Sequence, residues 1–218
     1  MGKVIAIDGP SGAGKGTIAK LLAGKLGFSY LDTGALYRAV ALTLREKGIN
    51  PEDSDQTLMA VLNNIKVEFK NEKVFVDGRD VSELIRSTEI GHYSSVFSTR
   101  KVVRDFLLDI QRSTSLNADL VAEGRDMTTV VFPDAWKKFY LDASVEERAK
   151  RRYLQLKEKG INITESEAKK DVVERDVRDS GRDIAPLRKA DDAVLIDSSS
   201  MTINKVLENI MKVVRADH

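Results

Sequence analysis

Val4-Ile5-Ala6-Ile7-Asp8-Gly9-Pro10-Ser11-Gly12-Ala13-Gly14-Lys15-Gly16-Thr17 is the stretch that decides the fold. Val4 to Ile7 is a continuous, β-branched apolar run, as expected of a strand buried on both faces in a parallel sheet. A glycine-rich turn follows. From Thr17 to Leu26 the apolar residues Ile18, Leu21, Leu22 and Leu26 recur at helical spacing, so the order is strand, glycine loop, helix. This opens an α/β fold. Short apolar runs recur at 120–122, 139–141 and 193–196, separated by segments of helical periodicity, and a last helix is predicted over about 202–215. At 218 residues and 42% hydrophobic content, one core and one domain are expected.

Two segments depart from that alternation. Val67-Glu68-Phe69-Lys70 and Val74-Phe75-Val76 flank Asn71-Glu72-Lys73 and predict an antiparallel hairpin, foreign to a doubly wound sheet. The surrounding 65–87 therefore reads as a small insertion, with a helix over 99–115 beyond it. The stretch 145–186 is dense in charge, splits into two helices near Gly160 and reads as solvated or mobile.

The bulk composition excludes several classes. Thirty-five basic against 34 acidic residues leave a net charge of +1, so no global field recruits a nucleic-acid polymer and any anion site must be local. There is no cysteine, hence no disulfide framework, thiolate metal site or cysteine nucleophile. His92 and His218 are the only histidines, and neither sits in a Ser-His-Asp arrangement. The start has too short an apolar run for a signal peptide, and no stretch is apolar enough to span a membrane. A cytoplasmic protein is expected.

Gly9 to Thr17 matches a phosphate loop in the required context, after a strand and before a helix. Glycines at 9, 12 and 14 permit positive φ and turn consecutive amides onto phosphate oxygens, and the helix dipole adds to this. Pro10, Ser11, Ala13 and Gly16 complete the cradle, and Lys15 is placed to reach the β and γ phosphates. Gly16 stands where many nucleotide hydrolases place a magnesium-ligating hydroxyl, which leaves Thr17 as the metal-ligand candidate. The Gly-Lys-Gly-Thr form is similar to adenylate-kinase-like enzymes.

Five further segments extend the likeness over essentially the whole chain: Tyr30 to Arg38, Asp77 to Ser82, Glu123 to Asp126 with Val130 to Ala135, Leu141 to Ser144, and Arg175 to Asp179 leading to Arg182 and Ala185-Pro186-Leu187. Together they resemble the bacterial cytidylate kinases. That resemblance implies a P-loop three-layer α/β fold over 1–218 with a central parallel five-stranded sheet. A monophosphate-binding insertion would occupy 33–112, its small antiparallel sheet including the hairpin at 65–81, and a short helical lid with arginine-rich helices 148–186. It implies transfer of the ATP γ-phosphate, with Mg²⁺, to CMP or dCMP by a monomer. Kinases of other acceptors such as UMP, dTMP or a sugar-like acid stay open. A non-catalytic nucleotide switch is the alternative from another class, and Asn204-Lys205-Val206-Leu207 lacks the aspartate of a guanine reader.

Acceptor recognition has a chemical logic of its own. An arginine fork matches two phosphate oxygens at once, so Arg38 and Arg125 are candidates for the acceptor phosphate. Thr33, Tyr37 and Gly124 join that pocket by resemblance. Cytosine offers an N4 amino donor beside N3 and O2 acceptors, which calls for an acid next to an arginine. The resemblance assigns the base contacts to Ser95, Arg104, Asp126 and Arg182, and the ribose contacts to Asp179 and Arg175. Arg175, Arg178 and Arg182 recur at i, i+3 and i+7 on one helix face, with Asp179 one turn from Arg175. Three cations on one stripe suit an anion before them, and a solvated helix is the competing reading. By the same resemblance Arg148 and Arg152, in a cluster with Arg151, cover the triphosphate, while Lys15, Arg125, Arg178 and Arg182 act in catalysis. Glu123 and Thr128 depart from the family pattern, and Thr128 puts a Cβ where glycine freedom is expected.

Overall fold

A computed structural model describes residues 2–116 and 118–216; His218 lies outside the described residues. The core is a parallel sheet of β1 (Val4–Asp8), β2 (Ser29–Asp32), β6 (Leu120–Glu123), β7 (Lys137–Asp142) and β8 (Val194–Asp197), in the spatial order β2-β6-β1-β7-β8. All five residues of β1 are buried, as its unbroken apolar run requires at the centre of a sheet covered on both faces. β1 aligns Ile7 with Glu123 on one side and Asp8 with Tyr140 on the other. Strand order through the sheet reverses beside β1, and the crevice beyond the strand C-termini at such a switch point is where α/β sheets bind ligands.

Two apolar clusters flank the sheet. One joins it to α1 (Lys15–Leu26) and α8 (Ile203–Arg215) through Ile18, Leu22, Leu207 and Ile210. The other packs α2 (Thr33–Glu46), α3 (Asp55–Leu62), α4 (Thr88–Phe97) and α5 (Lys101–Ser113) through Leu36, Leu58, Phe97 and Leu107. This layering of helices over both faces gives the α/β class predicted from the strand–loop–helix opening, in the three layers that the resemblance implies.

The hairpin forms as predicted, between β3 (Val67–Lys70) and β4 (Lys73–Val76), and β5 (Arg79–Asp80) extends it to three strands. Its turn places Asn71 and Glu72 at φ of 50° and 61°. The charged stretch 145–186 also folds as two helices, α6 (Val145–Glu158) and α7 (Glu165–Gly181), the second opened by a Thr164–Glu167 capping box. It is less solvated than its composition suggests. The two helices bury Ala149, Leu156, Ala168 and Val172, a narrow seam of mostly small residues that leaves little apolar periodicity in the sequence.

Candidate active site

The phosphate loop leaves β1 at Gly9 and enters α1 at Lys15. Gly9 has no alternative, because a Cβ there would stand 1.9 Å from the carbonyl oxygen of Leu141. Gly12, at φ 78°, would meet the Arg148 backbone at 2.8 Å. Lys15 is 5% exposed and donates from Nζ to the carbonyl of Pro10 at 2.8 Å, which folds its side chain back over the loop. Burial, reinforced by the Arg125 charge, holds the Lys15 ammonium below its usual range.

Ser11 to Thr17 line a cleft of about 800 Å³ beyond the C-terminal ends of the strands, and Gly9 and Pro10 are not part of that lining. Thr33, Tyr37, Arg38, Ser95, Arg104, Gly124, Arg125, Asp126, Arg175, Asp179 and Arg182 line the same cleft. The residues nominated from the sequence for a triphosphate and for a monophosphate thus meet in one space.

Each is fixed by its neighbours. Asp32 caps α2 by accepting from Ala35 N at 2.8 Å, and its other oxygen accepts from Arg38 Nη2 at 3.0 Å. Thr33 Oγ1 donates to the Glu123 carbonyl at 2.7 Å, joining α2 to the end of β6. Tyr37 is buried, which pushes its hydroxyl up to about 12, and the Arg104 guanidinium stands 5.6 Å from its ring centre. Arg104 pairs through Nη2 with Asp126, and its Nη1 donates to the Ser98 carbonyl at 3.1 Å. Both members of that pair are buried.

Asp179 is the hub of the helix face. It accepts from Arg125 Nε at 2.8 Å and has Arg175 and Arg182 each at 3.9 Å, so its principal partner is Arg125 on another element and not Arg175 one turn away. Arg175 Nε and Arg182 Nη2 are buried without a hydrogen-bond partner among the described residues. Orphaned donors of that kind are costly unless a ligand satisfies them. Arg178 lies outside the cleft lining and donates to Ser95 Oγ at 3.1 Å.

The second arginine cluster divides. Arg148 is buried, donating to the carbonyls of Ser11 (3.0 Å) and Ala143 (2.9 Å) and pairing with Asp176, so it braces the loop from behind. Arg152 lines the cleft and pairs with Asp171 at 2.9 Å. Arg151, the third member of the cluster, also lines the cleft and donates to the Ala13 carbonyl at 3.3 Å. At i, i+3 and i+4 the three leave α6 on one side, and tertiary packing sends Arg148 against the loop and Arg151 and Arg152 to the cleft lining. Met201, Ile203 and Val206, after β8, also line the cleft, and they carry no motif in the sequence.

Glu123 also lines the cleft. Burial, helped by the Asp32 charge, pushes its carboxyl up, while Lys15 and Arg125 pull it back. Its Oε1 is 3.6 Å from the position a Cβ would take on Gly16, so the carboxylate sits against the phosphate loop. Thr128 corrects the expectation of glycine freedom: it is not among the residues at positive φ, and its amide and hydroxyl both donate to Asp8.

A sequence model of cytidylate kinase matches residues 5–216. The chain belongs to the cytidylate kinase family. It is 55% identical over the full length of both chains to a cytidylate kinase of Thermodesulfovibrio yellowstonii, and 47% identical to that of Thermotoga neapolitana, over 98% of this chain and 97% of that one. A solved structure, an uncharacterized protein from Eubacterium ventriosum, shares the fold at a TM-score of 0.53 with 13% identity, covering 98% of this chain and 99% of that one. Among the described residues, no helix is long and apolar enough to cross a membrane.

Proposed function

We propose that this cleft transfers the γ-phosphate of ATP to CMP or dCMP, giving ADP and CDP or dCDP, with the two nucleotides lying end to end. The observation that carries this reading is the convergence, in one cleft, of a phosphate loop with a buried arginine–aspartate pair and a set of part-unsatisfied arginines. Ser11 to Thr17 cradle the triphosphate, with Arg151 and Arg152 over it. Met201, Ile203 and Val206 offer the donor base an apolar seat. Arg38 and Arg125 grip the acceptor phosphate, while Thr33, Tyr37 and Gly124 wall its pocket. Asp126 accepts from the cytosine amino group, and Arg104, Ser95 and Arg182 complete the base contacts. Asp179 and Arg175 face the ribose. Residues 33–112 act as the monophosphate-binding insertion and 148–186 as the lid of a single domain, in a monomeric cytoplasmic enzyme.

Phosphoryl transfer demands alignment and charge stabilisation more than covalent chemistry. Lys15 and Arg125 flank the position between the two phosphates, where negative charge spreads in the transition state. Arg182, with an unsatisfied donor, adds to that field. Arg178 orients Ser95. Closure of the arginine helices over the cleft excludes water that would otherwise accept the phosphoryl group.

The donor set suits magnesium. Among the described residues there is no group of three or more His, Cys, Asp or Glu able to cage a metal. Thr17, with Asp32 and Glu123 across the cleft, supplies a few hard oxygens, which fits an ion held mainly by phosphate and water. Bound there, it would neutralise charge on the β and γ oxygens. Initial rates of ADP formation with ATP, Mg²⁺ and CMP, dCMP, UMP, AMP, GMP or dTMP test the assignment. CMP and dCMP are expected to lead, and preferred use of a purine nucleotide, or ADP release independent of acceptor, would refute it.

A further inference from the structure

One buried acid has no part in this chemistry. Asp8 ends β1, is wholly buried and does not line the cleft. Its Oδ1 accepts from Met127 N at 2.9 Å, and its Oδ2 accepts from Thr128 N at 2.7 Å and from Thr128 Oγ1 at 2.6 Å. A carboxylate in so dry a place is expensive, and it persists when converging donors compensate.

Those donors belong to the turn that carries the base reader. Met127–Val131 is a single π-type turn, a form that recurs at functional sites, and it begins immediately after Asp126. The Asp126 carbonyl accepts from Val130 N at 2.9 Å and Val131 N at 3.1 Å, so the turn is gripped from Asp126 on one side and Asp8 on the other. Asp8 in turn precedes Gly9, the first residue of the phosphate loop. The charged and titratable groups facing Asp8 are Asp126, whose charge opposes its ionisation, and Tyr140 beside it on β7.

We propose that Asp8 is a positioning residue for acceptor-base recognition, its carboxylate fixing through Thr128 and Met127 the turn that aims Asp126 at the base. This rests on the reading of Asp126 given above. Thr128 is the place to probe it, since the residue does not line the cleft. Thr128→Val keeps the shape and deletes the hydroxyl donor. The variant should raise the KM for CMP about tenfold while the KM for ATP stays within about twofold, the size expected for one hydrogen bond to a charged group. Thr128→Ser, which keeps the donor, should restore the CMP value. Should the valine variant not fold, Thr128→Ala carries the same comparison.

Wild-type turnover with CMP is measured in the same assay. Its absence would overturn the functional reading and this inference together. If wild type turns over CMP, three results would each overturn the inference alone: KM values for both nucleotides rising in parallel, neither KM moving while the melting temperature falls, or serine failing to rescue.

Discussion

Asp179 faces three guanidinium groups, so its removal should be felt first as instability. At an effective dielectric of about 20, the 2.8 Å contact with Arg125 is worth roughly 6 kcal/mol gross, and each 3.9 Å contact with Arg175 and Arg182 roughly 4 kcal/mol. Desolvation offsets most of that sum. What Asp179→Ala leaves is uncompensated buried positive charge, a situation that costs about 3–5 kcal/mol when a buried pair loses one partner. In a domain of this size each kcal/mol moves the melting point by about 2–4 °C, so a drop of about 6–20 °C is expected in low-salt buffer. Inorganic phosphate should then stabilise the variant more than the wild type, because an anion takes the place of the lost carboxylate among the arginines. Thermal denaturation with and without phosphate reads both effects. A melting point within about 2 °C of wild type, or equal phosphate gains in the two proteins, would refute the hub assignment.

Lys15→Ala should abolish transfer and leave the fold intact by circular dichroism, since among the described residues the Lys15 side chain hydrogen-bonds only the Pro10 carbonyl of its own loop; near-normal turnover would remove the loop from catalysis. For Asp8, burial raises the folded-state pKa to about 6 from an ordinary 3.8, against the pull of the Thr128 hydroxyl and the two amides. Its contribution to stability is then full below pH 4 and lost as pH rises through 6, a change of about 3 kcal/mol at about 1.4 kcal/mol per pKa unit. Asp8→Asn removes that titration. The wild-type minus variant difference in unfolding free energy should therefore fall between pH 4 and 6, and a flat difference across that window would contradict the raised pKa.

Much of the architecture was legible because it is written locally. The Val4–Ile7 run, the glycine loop and the periodicity after Thr17 are contiguous, and each alone restricts the backbone. The hairpin at 67–76 announced itself by alternation around Asn71-Glu72. β2 was harder: of Ser29–Asp32 only Leu31 is buried, since the strand lies at the sheet edge and lacks the apolar run that marked β1. The arginine face of α7 could be read from i, i+3, i+7 spacing, yet its partner could not, because Arg125 is 54 residues from Asp179. The same holds for Asp8, whose partners lie 119 and 120 residues away. Arg148 and Arg151 are three residues apart on α6, and only the packing of that helix against the loop sends one behind the cradle and the other into the cleft.

In the proposed reaction donor and acceptor occupy one continuous cleft, with their phosphates facing each other between Lys15 and Arg125. An adenosine and a cytidine joined through their 5′ positions by a five-phosphate chain tests it most directly, by inhibition kinetics against each substrate in turn. The linked molecule should compete with both ATP and CMP and bind more tightly than either. Competition with ATP alone, leaving CMP saturation unaffected, would mean that the acceptor binds elsewhere and that the cleft is not shared.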